Sequence, residues 1–232
     1  DETLVENMNG GGLSSNLYKK SKELIEKLLN HKKKIYILTN NCRYTPNQFL
    51  DFLTKHNIKG LEGENIITPL SQISRKFKNK TILFCGSEIQ KKYLKEKNVN
   101  LYSSEKGNID AIVFHDIYSY NYNFITEYSK IIHNNPNTTV YVSDNDLSYT
   151  HNQIIFPDMG TLIKGCNLKE YEIIGKPNKS IVNHIDFDSS STLMIGDSDT
   201  DYQFSKNINC DFIYINKKKS EKWNYDIQKM CY

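Results

Sequence analysis

The chain has 232 residues, 12% of them aromatic and 25% charged, with a net charge of only +3. That length holds one large domain or a domain with an insertion, and the aromatic content excludes a disordered chain. The charge balance gives no evident nucleic-acid face, and no window approaches the 18 apolar residues of a membrane span.

In chain order, "DETL" is followed by "VENMNGGGLSS", a loop whose three glycines follow no visible strand in GxGxxG register. "NLYKKSKELIEKLLNHKK" (16–33) predicts a helix with Leu24, Ile25, Leu28 and Leu29 on one stripe. "KIYILT" (34–39) predicts a strand. Thr45-Pro46 then reads as N-cap and first helical residue before "NQFLDFLTKH", and Thr68-Pro69 repeats the device before "LSQISRKF". The series continues with strand "TILFCG" (81–86), helix "SEIQKKYLKEK", strand "DAIVFH" (110–115), helix "FITEYSKIIH" (124–133) and strand "TTVYVS" (138–143). Pro177 is expected to start a helix after strand "YEIIG" (171–175). "TLMIG" (192–196) and "CDFIYI" (210–215) are the last strands, with "DYQFSKN" (201–207) a helix between them and Lys217–Lys219 in a solvated loop. Strands that are continuous apolar runs separated by helices predict an α/β fold, a parallel sheet covered on both faces.

Five cysteines are scattered without a CxxC pattern, and no HExxH or Cys/His cluster offers a zinc site. Free thiols in a reducing, intracellular compartment are expected, the cytoplasm first, with an organelle left open. The surplus of Asn, Lys, Ile and Tyr reads as genome bias rather than chemistry.

"MIGDSDTDYQF" (194–204) sets Asp197, Asp199 and Asp201 at alternate positions after an apolar run. Ligands in an open parallel sheet bind beyond the carboxyl ends of the strands, which is where Asp197 falls. Two readings stand. The acids form a turn and N-cap, or they hold a hard cation such as Mg²⁺, which relieves their mutual repulsion. "YILTNN" (36–41) ends a strand on Thr39, a hydroxyl suited to a phosphate oxygen or to a simple turn. "IIGKPNKS" (173–180) puts Lys176 after a strand, where it offsets phosphoryl charge or lies exposed on the surface.

Together, "DETL", "LTNN", "GKP" and "GDSDTD", in that order, resemble the motifs of the haloacid dehalogenase (HAD) superfamily. The subclass with an α/β cap between the second and third motifs fits best, the type of p-nitrophenyl and phosphoglycolate phosphatases. "SDNDLSYTHNQIIFPDMGTLI" (143–163) is similar to its "NPD…PGxG" segment, and about 135 residues between Thr39 and Lys176 leave room for the cap. The resemblance implies a Rossmann-like parallel-sheet HAD core at 1–64 and 171–232 and an inserted cap at 65–170. It implies Mg²⁺-dependent hydrolysis of a small phosphorylated metabolite through an aspartyl-phosphate. By motif matching, Asp197, Asp201 and Asp1 are metal ligands, Asp201 either directly or through water. Thr39, Asn40 and Lys176 bind the substrate. Asp1, Thr39 and Lys176 are the catalytic set, and Asp199 is left to cap the helix.

The usual first motif is DxDGTL. In the preferred register "DETL" matches its second half with Glu2 in place of Gly, Asp1 is the general acid/base, and the nucleophile lies two residues upstream on a central strand. The native chain is therefore expected to extend further toward its N-terminus. In a second register Asp1 is the nucleophile and Thr3 its partner. The long interval from Asp1 to Thr39 points to an insertion in the glycine-rich loop, and "GDSDTD" has the shorter of the two usual acid spacings. The disturbed motif motivates an alternative, a catalytically inactive HAD-like subunit of a larger assembly. A phosphotransfer receiver or other metal-binding α/β module is a third reading. "YSYNYNF" (118–124) lines the site, a dimer face or ordinary core, and a homodimer through the cap is expected from the family.

Overall fold

The computed structural model describes residues 3–4, 17–103, 108–116, 121–151 and 154–215. Asp1, the glycine-rich loop, the beginning of the Tyr-rich stretch, Lys217–Lys219 and Cys231 lie outside the described residues. The fold is α/β, a Rossmann-like core with an inserted α/β unit. The chain divides into two units, one made of residues 1–39, 46–67 and 176–232, the other of 40–45 and 68–175.

In the first unit, α1 (Lys19–Asn30) buries Leu24 and Ile25 of the predicted stripe and leaves Leu28 and Leu29 half-buried. Strand β1 (Ile37–Leu38) is shorter than the expected 34–39 and pairs in parallel with β2 (Ile66–Ile67), a strand too brief to be read from sequence. Pairing runs one residue further, because the Thr39 N–H donates to the Ile67 carbonyl at 3.1 Å. Helix α2 (Pro46–Lys55) starts on its proline, where the missing N–H costs nothing, and buries Phe49, Phe52 and Leu53. Near the other end of the chain, β10 (Leu193–Gly196) pairs in parallel with β11 (Asp211–Tyr214), and α7 (Asp199–Asn207) connects them. Leu38, Ile67, Met194 and Phe204 share one apolar cluster. The two strand pairs thus rest on a common core, although among the described residues no strand hydrogen-bonds one pair to the other.

The second unit is built on a five-stranded parallel sheet in the order β4-β3-β5-β6-β9. Its strands are β3 (Thr81–Cys85), β4 (Asn100–Leu101), β5 (Ala111–Phe114), β6 (Val140–Val142) and β9 (Glu172–Ile173). The alternation of side chains along β5 explains its unbroken apolar run. Ala111 and Val113 join Leu70, Ile73, Phe77, Tyr93 and Leu94 on one face, while Ile112 and Phe114 join Met159, Leu162 and Ile163 on the other. Each full burial of such a Val, Ile or Phe side chain stabilises by roughly 1.5–3 kcal/mol.

Helices α3 (Pro69–Lys76) and α4 (Glu88–Glu96) cover the first face, and α5 (Tyr122–Asn134) and α6 (Met159–Gly165) the second. Thr68 caps α3 as expected, accepting the Ser71 N–H at 3.1 Å while Ser71 Oγ accepts the Thr68 N–H at 3.0 Å. A hairpin of β7 (Ser148–His151) and β8 (Ile154–Pro157), not foreseen from sequence, leaves Ile154 and Ile155 exposed.

One expectation needs correction. Pro177 does not open an α-helix. Asn178 accepts the Ser180 N–H at 2.9 Å and caps a short 3-10 turn, Lys179–Val182. Five asparagines have a shared structural role. Asn57, Asn79, Asn98, Asn167 and Asn209 follow helices α2, α3, α4, α6 and α7 with φ between 52° and 62°. This is the left-handed position that ends helices, where asparagine does the work usually given to glycine.

Candidate active site

Of the residues picked out by motif matching, Lys176, Asp197 and Asp201 meet in the first unit around β10 and α7. The strand delivers Gly196, and α7 folds back so that Asp201 lies against it. A Cβ at Gly196 would stand 2.6 Å from both Cγ and Oδ2 of Asp201, so only glycine permits this packing. Ser198 is the N-cap of α7. Its Oγ accepts the Asp201 N–H at 3.2 Å and donates to Asp201 Oδ2 at 2.8 Å. The N–H groups of Asp197 and Ser198 reach the same Oδ2 at 3.2 and 3.3 Å. The other carboxylate oxygen, Oδ1, accepts from Lys176 Nζ at 2.5 Å, and the two side chains are only 11% and 5% exposed. Burial alone would raise the Asp201 pKa. The Lys176 charge, with hydrogen bonds from Lys176, Ser198 and the Asp197 N–H, instead holds it below the usual carboxylate range.

The three aspartates therefore have three environments. Asp201 is buried against a lysine. Asp199 is exposed in the first turn of α7, where the helix dipole favours a negative charge, but it is not the cap; Ser198 is. Asp197, half-buried just past β10, accepts from Thr3 Oγ1 at 2.6 Å. Thr39 is buried at the end of β1. Asn40 belongs to the second unit, where its Oδ1 would lie 2.7 Å from a Cβ at Gly175.

Among the described residues no group of three or more His, Cys, Asp or Glu side chains is placed to hold a metal ion. The donor chemistry is nevertheless that of a hard cation. Mg²⁺ needs only one or two protein carboxylates and keeps several waters. Asp197 fits such a role. Both Asp201 oxygens already accept hydrogen bonds, and a carboxylate oxygen has lone pairs for more than one contact.

A second polar cluster, in the inserted unit, escaped the reading of the sequence. It stands where β3, β5 and β6 end. Gln90 Nε2 donates to the Cys42 carbonyl at 2.6 Å and to Asp116 Oδ2 at 3.1 Å, and the Cys42 thiol reaches Asp144 Oδ2 at 3.5 Å. His115 Nδ1 is hydrogen-bonded to Ser143 Oγ. Burial pushes the Asp144 carboxyl up to about 7, with the charges of Asp158 and Asp146 adding to the effect. Burial takes Asp116 to about 6 and His115 down to about 3, so the imidazole is neutral. The available signal was an acid right after an apolar strand, in "VFHD" and "YVSD", the same signal that located Asp197.

The four described cysteines, Cys42, Cys85, Cys166 and Cys210, form no disulfide. No described helix is long and apolar enough to cross a membrane.

The family profile of haloacid dehalogenase-like hydrolases matches residues 12–100, and a second HAD-hydrolase-like profile matches 173–225. Between them they take in more than half of the chain. No curated protein matches the sequence. Solved structures share the fold. A p-nitrophenyl phosphatase from Archaeoglobus fulgidus superposes with a TM-score of 0.79 at 15% identity, over 93% of this chain and 87% of that one. A 4-nitrophenylphosphatase from Thermotoga maritima gives 0.76 at 18% identity, over 90% and 85%. A glycerol phosphate phosphatase from Mycobacterium tuberculosis, in complex with magnesium, gives 0.71 at 14% identity, over 91% and 67%. With its four motifs in order, both profiles and this shared fold, the chain belongs to the haloacid dehalogenase-like family.

Proposed function

We propose that this protein is a Mg²⁺-dependent phosphatase that hydrolyses a small phosphorylated metabolite through an aspartyl-phosphate. The observation that carries the reading is the grouping at one strand end of Asp197 with the buried Lys176–Asp201 pair, in a chain of this family. The phosphatases that share its fold, one of them in complex with magnesium, support it.

In this reading the inserted unit is the cap. In the family's first motif the nucleophile is the aspartate two positions before the one that Asp1 matches. Its carboxylate attacks phosphorus, the bond to the leaving oxygen breaks, and Asp1 gives that oxygen a proton. Asp1 then takes a proton from water, which attacks the aspartyl-phosphate, releases phosphate and restores the carboxylate. Thr39 and Asn40 hold phosphoryl oxygens, and Lys176 offsets their charge. Asp197 would hold the cation, which when bound shields negative charge between carboxylate and substrate. In the second register Asp1 attacks and Thr3, which donates to Asp197 at 2.6 Å, is its partner.

The test is Mg²⁺-dependent hydrolysis of p-nitrophenyl phosphate by the protein, beside Asp197→Asn. Activity that needs Mg²⁺ and vanishes in the variant is expected. A folded wild type that is inactive with Mg²⁺ overturns the reading in favour of a non-catalytic HAD-like subunit.

A further inference from the structure

We infer that Gln90, on the first turn of α4, is a positioning residue for substrate binding, a fastener that holds the turn of residues 40–43 and with it Asn40. The inserted sheet runs β4-β3-β5-β6-β9, so the chain leaves β3 toward one side and comes back to β5 on the other. In sheets of this order, ligands settle in the crevice beyond the ends of that strand pair. Here the place receives a piece of the same chain. Residues 40–45 belong to the inserted unit, although Thr39 before them and Pro46 after them do not.

Both ends of the Gln90 amide are engaged there. Oε1 accepts the Ser87 N–H at 2.8 Å, while Nε2 donates to the Cys42 carbonyl at 2.6 Å and to Asp116 Oδ2 at 3.1 Å. The side chain is fully buried, so no water can take over these bonds. Gly86 makes room for it, because a Cβ there would stand 2.5 Å from Gln90 Oε1. A glutamine at the third position of a helix needs only the Ser87 bond to complete a capping box. The bond to Cys42, 48 residues back along the chain, is a second function. From Cys42 the order passes to Asn40. The Cys42 thiol donates to the Asn40 carbonyl at 3.1 Å and reaches Asp144 Oδ2 at 3.5 Å, and the Arg43 N–H closes the turn on Asn41 Oδ1 at 2.9 Å. Asn40 Oδ1 then lies over Gly175, 2.7 Å from where a Cβ would stand. Burial, with the charges of Asp144 and Asp116, raises the Cys42 thiol well above its ordinary pKa, so it reacts slowly while the turn is in place.

The inference rests on the phosphatase reading only for what Asn40 binds, and its test separates the two. Alkylation by iodoacetamide is followed by peptide mass spectrometry in wild type and Gln90→Met, which keeps the length of the side chain and removes the donor. Cys85, buried in the same unit at the end of β3, reports any general loosening. Cys42 is expected to label at least about tenfold faster in the variant, as the loss of a buried hydrogen bond implies, while Cys85 stays protected. Unchanged Cys42 labelling overturns the inference, and so does a rise of Cys42 and Cys85 together, which is what a purely structural role would give. In p-nitrophenyl phosphate hydrolysis the variant's KM is expected to rise about three- to tenfold with kcat nearly unchanged. An unchanged KM in an active enzyme overturns the role in substrate binding. If Gln90→Met does not fold, Gln90→Glu, which keeps the acceptor for the Ser87 N–H, is read in the same way. If the wild type is inactive, the phosphatase reading fails, and the labelling alone decides whether Gln90 holds the turn.

Discussion

Gly196 lies so close beneath Asp201 that a β-carbon would overlap the carboxylate, 2.6 Å from its Cγ and Oδ2. The contact couples the end of β10 to the first turn of α7, and the chain there has no freedom to move apart without losing the hydrogen bonds to Oδ2. Gly196→Ala is expected to destabilise by about 1–3 kcal/mol, the usual result of overpacking a tight site. It should also lower any phosphatase activity, since Asp197 is carried on the same turn. Urea denaturation read beside hydrolysis checks both. Unchanged stability would mean that Asp201 has another place to go.

The Lys176–Asp201 pair predicts a pronounced non-additivity. With side chains only 11% and 5% exposed, removing one partner leaves the other charged and out of water. Lys176→Met should destabilise by about 3–5 kcal/mol, the range for breaking a buried pair. The double variant Lys176→Met/Asp201→Asn should recover much of that loss, because neither charge remains. A double variant as unstable as the sum of its parts would show that the pair is not coupled.

The helix start separates two residues that the sequence left confused. Ser198→Ala removes the cap and one bond to Asp201, and is expected to cost about 1 kcal/mol or somewhat more. Asp199→Ala removes only a charge near the helix N-terminus, worth a few tenths to about 1 kcal/mol and screened by salt. Thermal unfolding at low and high salt distinguishes them. A larger loss for Asp199 would restore it as the cap.

Much of this organisation was legible in advance because it rests on burial. Strands such as "AIVF" face apolar layers on both sides and so read as unbroken apolar runs, and proline at position one announced α2 and α3. What escaped was too short or too local. Ile66–Ile67 is a two-residue strand held by its neighbour, and the β7–β8 hairpin shows no alternation that a buried face would impose. At the site, the positions of Thr39, Lys176, Asp197 and Asp201 in the sequence pointed to strand ends, but not to how the carboxylates divide their partners. Asp199 stood in the sequence as the cap because aspartate caps helices well. Serine one position earlier caps equally well, and only its reciprocal bond with Asp201 decides between them. The asparagines after the helices were similarly readable as left-handed terminators, given their place behind Lys-rich helix ends.

The inserted unit carries the pH prediction. Asp144 titrates at about 7 in the folded protein against an ordinary 3.8, because it is buried near Asp158 and Asp146. Between those values the folded state keeps a proton that the unfolded chain has released. Its contribution to stability therefore falls as pH rises from about 4 to about 7 and levels off above that. His115, at about 3 against 6.5, works the other way. The unfolded chain there binds a proton that the folded state lacks, so stability rises with pH across about 3 to 6.5. The two oppose each other in the wild type, and Asp116, raised to about 6, adds to the first. A difference measurement isolates Asp144. In Asp144→Asn the amide never has to ionise and its oxygen can still accept from Cys42. The stability of Asp144→Asn relative to wild type should grow as pH is raised from 4 to 7 and then stay constant. The growth is on the order of 1–4 kcal/mol, since one pKa unit corresponds to about 1.4 kcal/mol. Urea denaturation of both proteins at pH 4.5, 6, 7.5 and 8.5 gives the curve. A difference independent of pH would place the ionisation of Asp144 in the ordinary carboxylate range and remove the burial argument for this cluster.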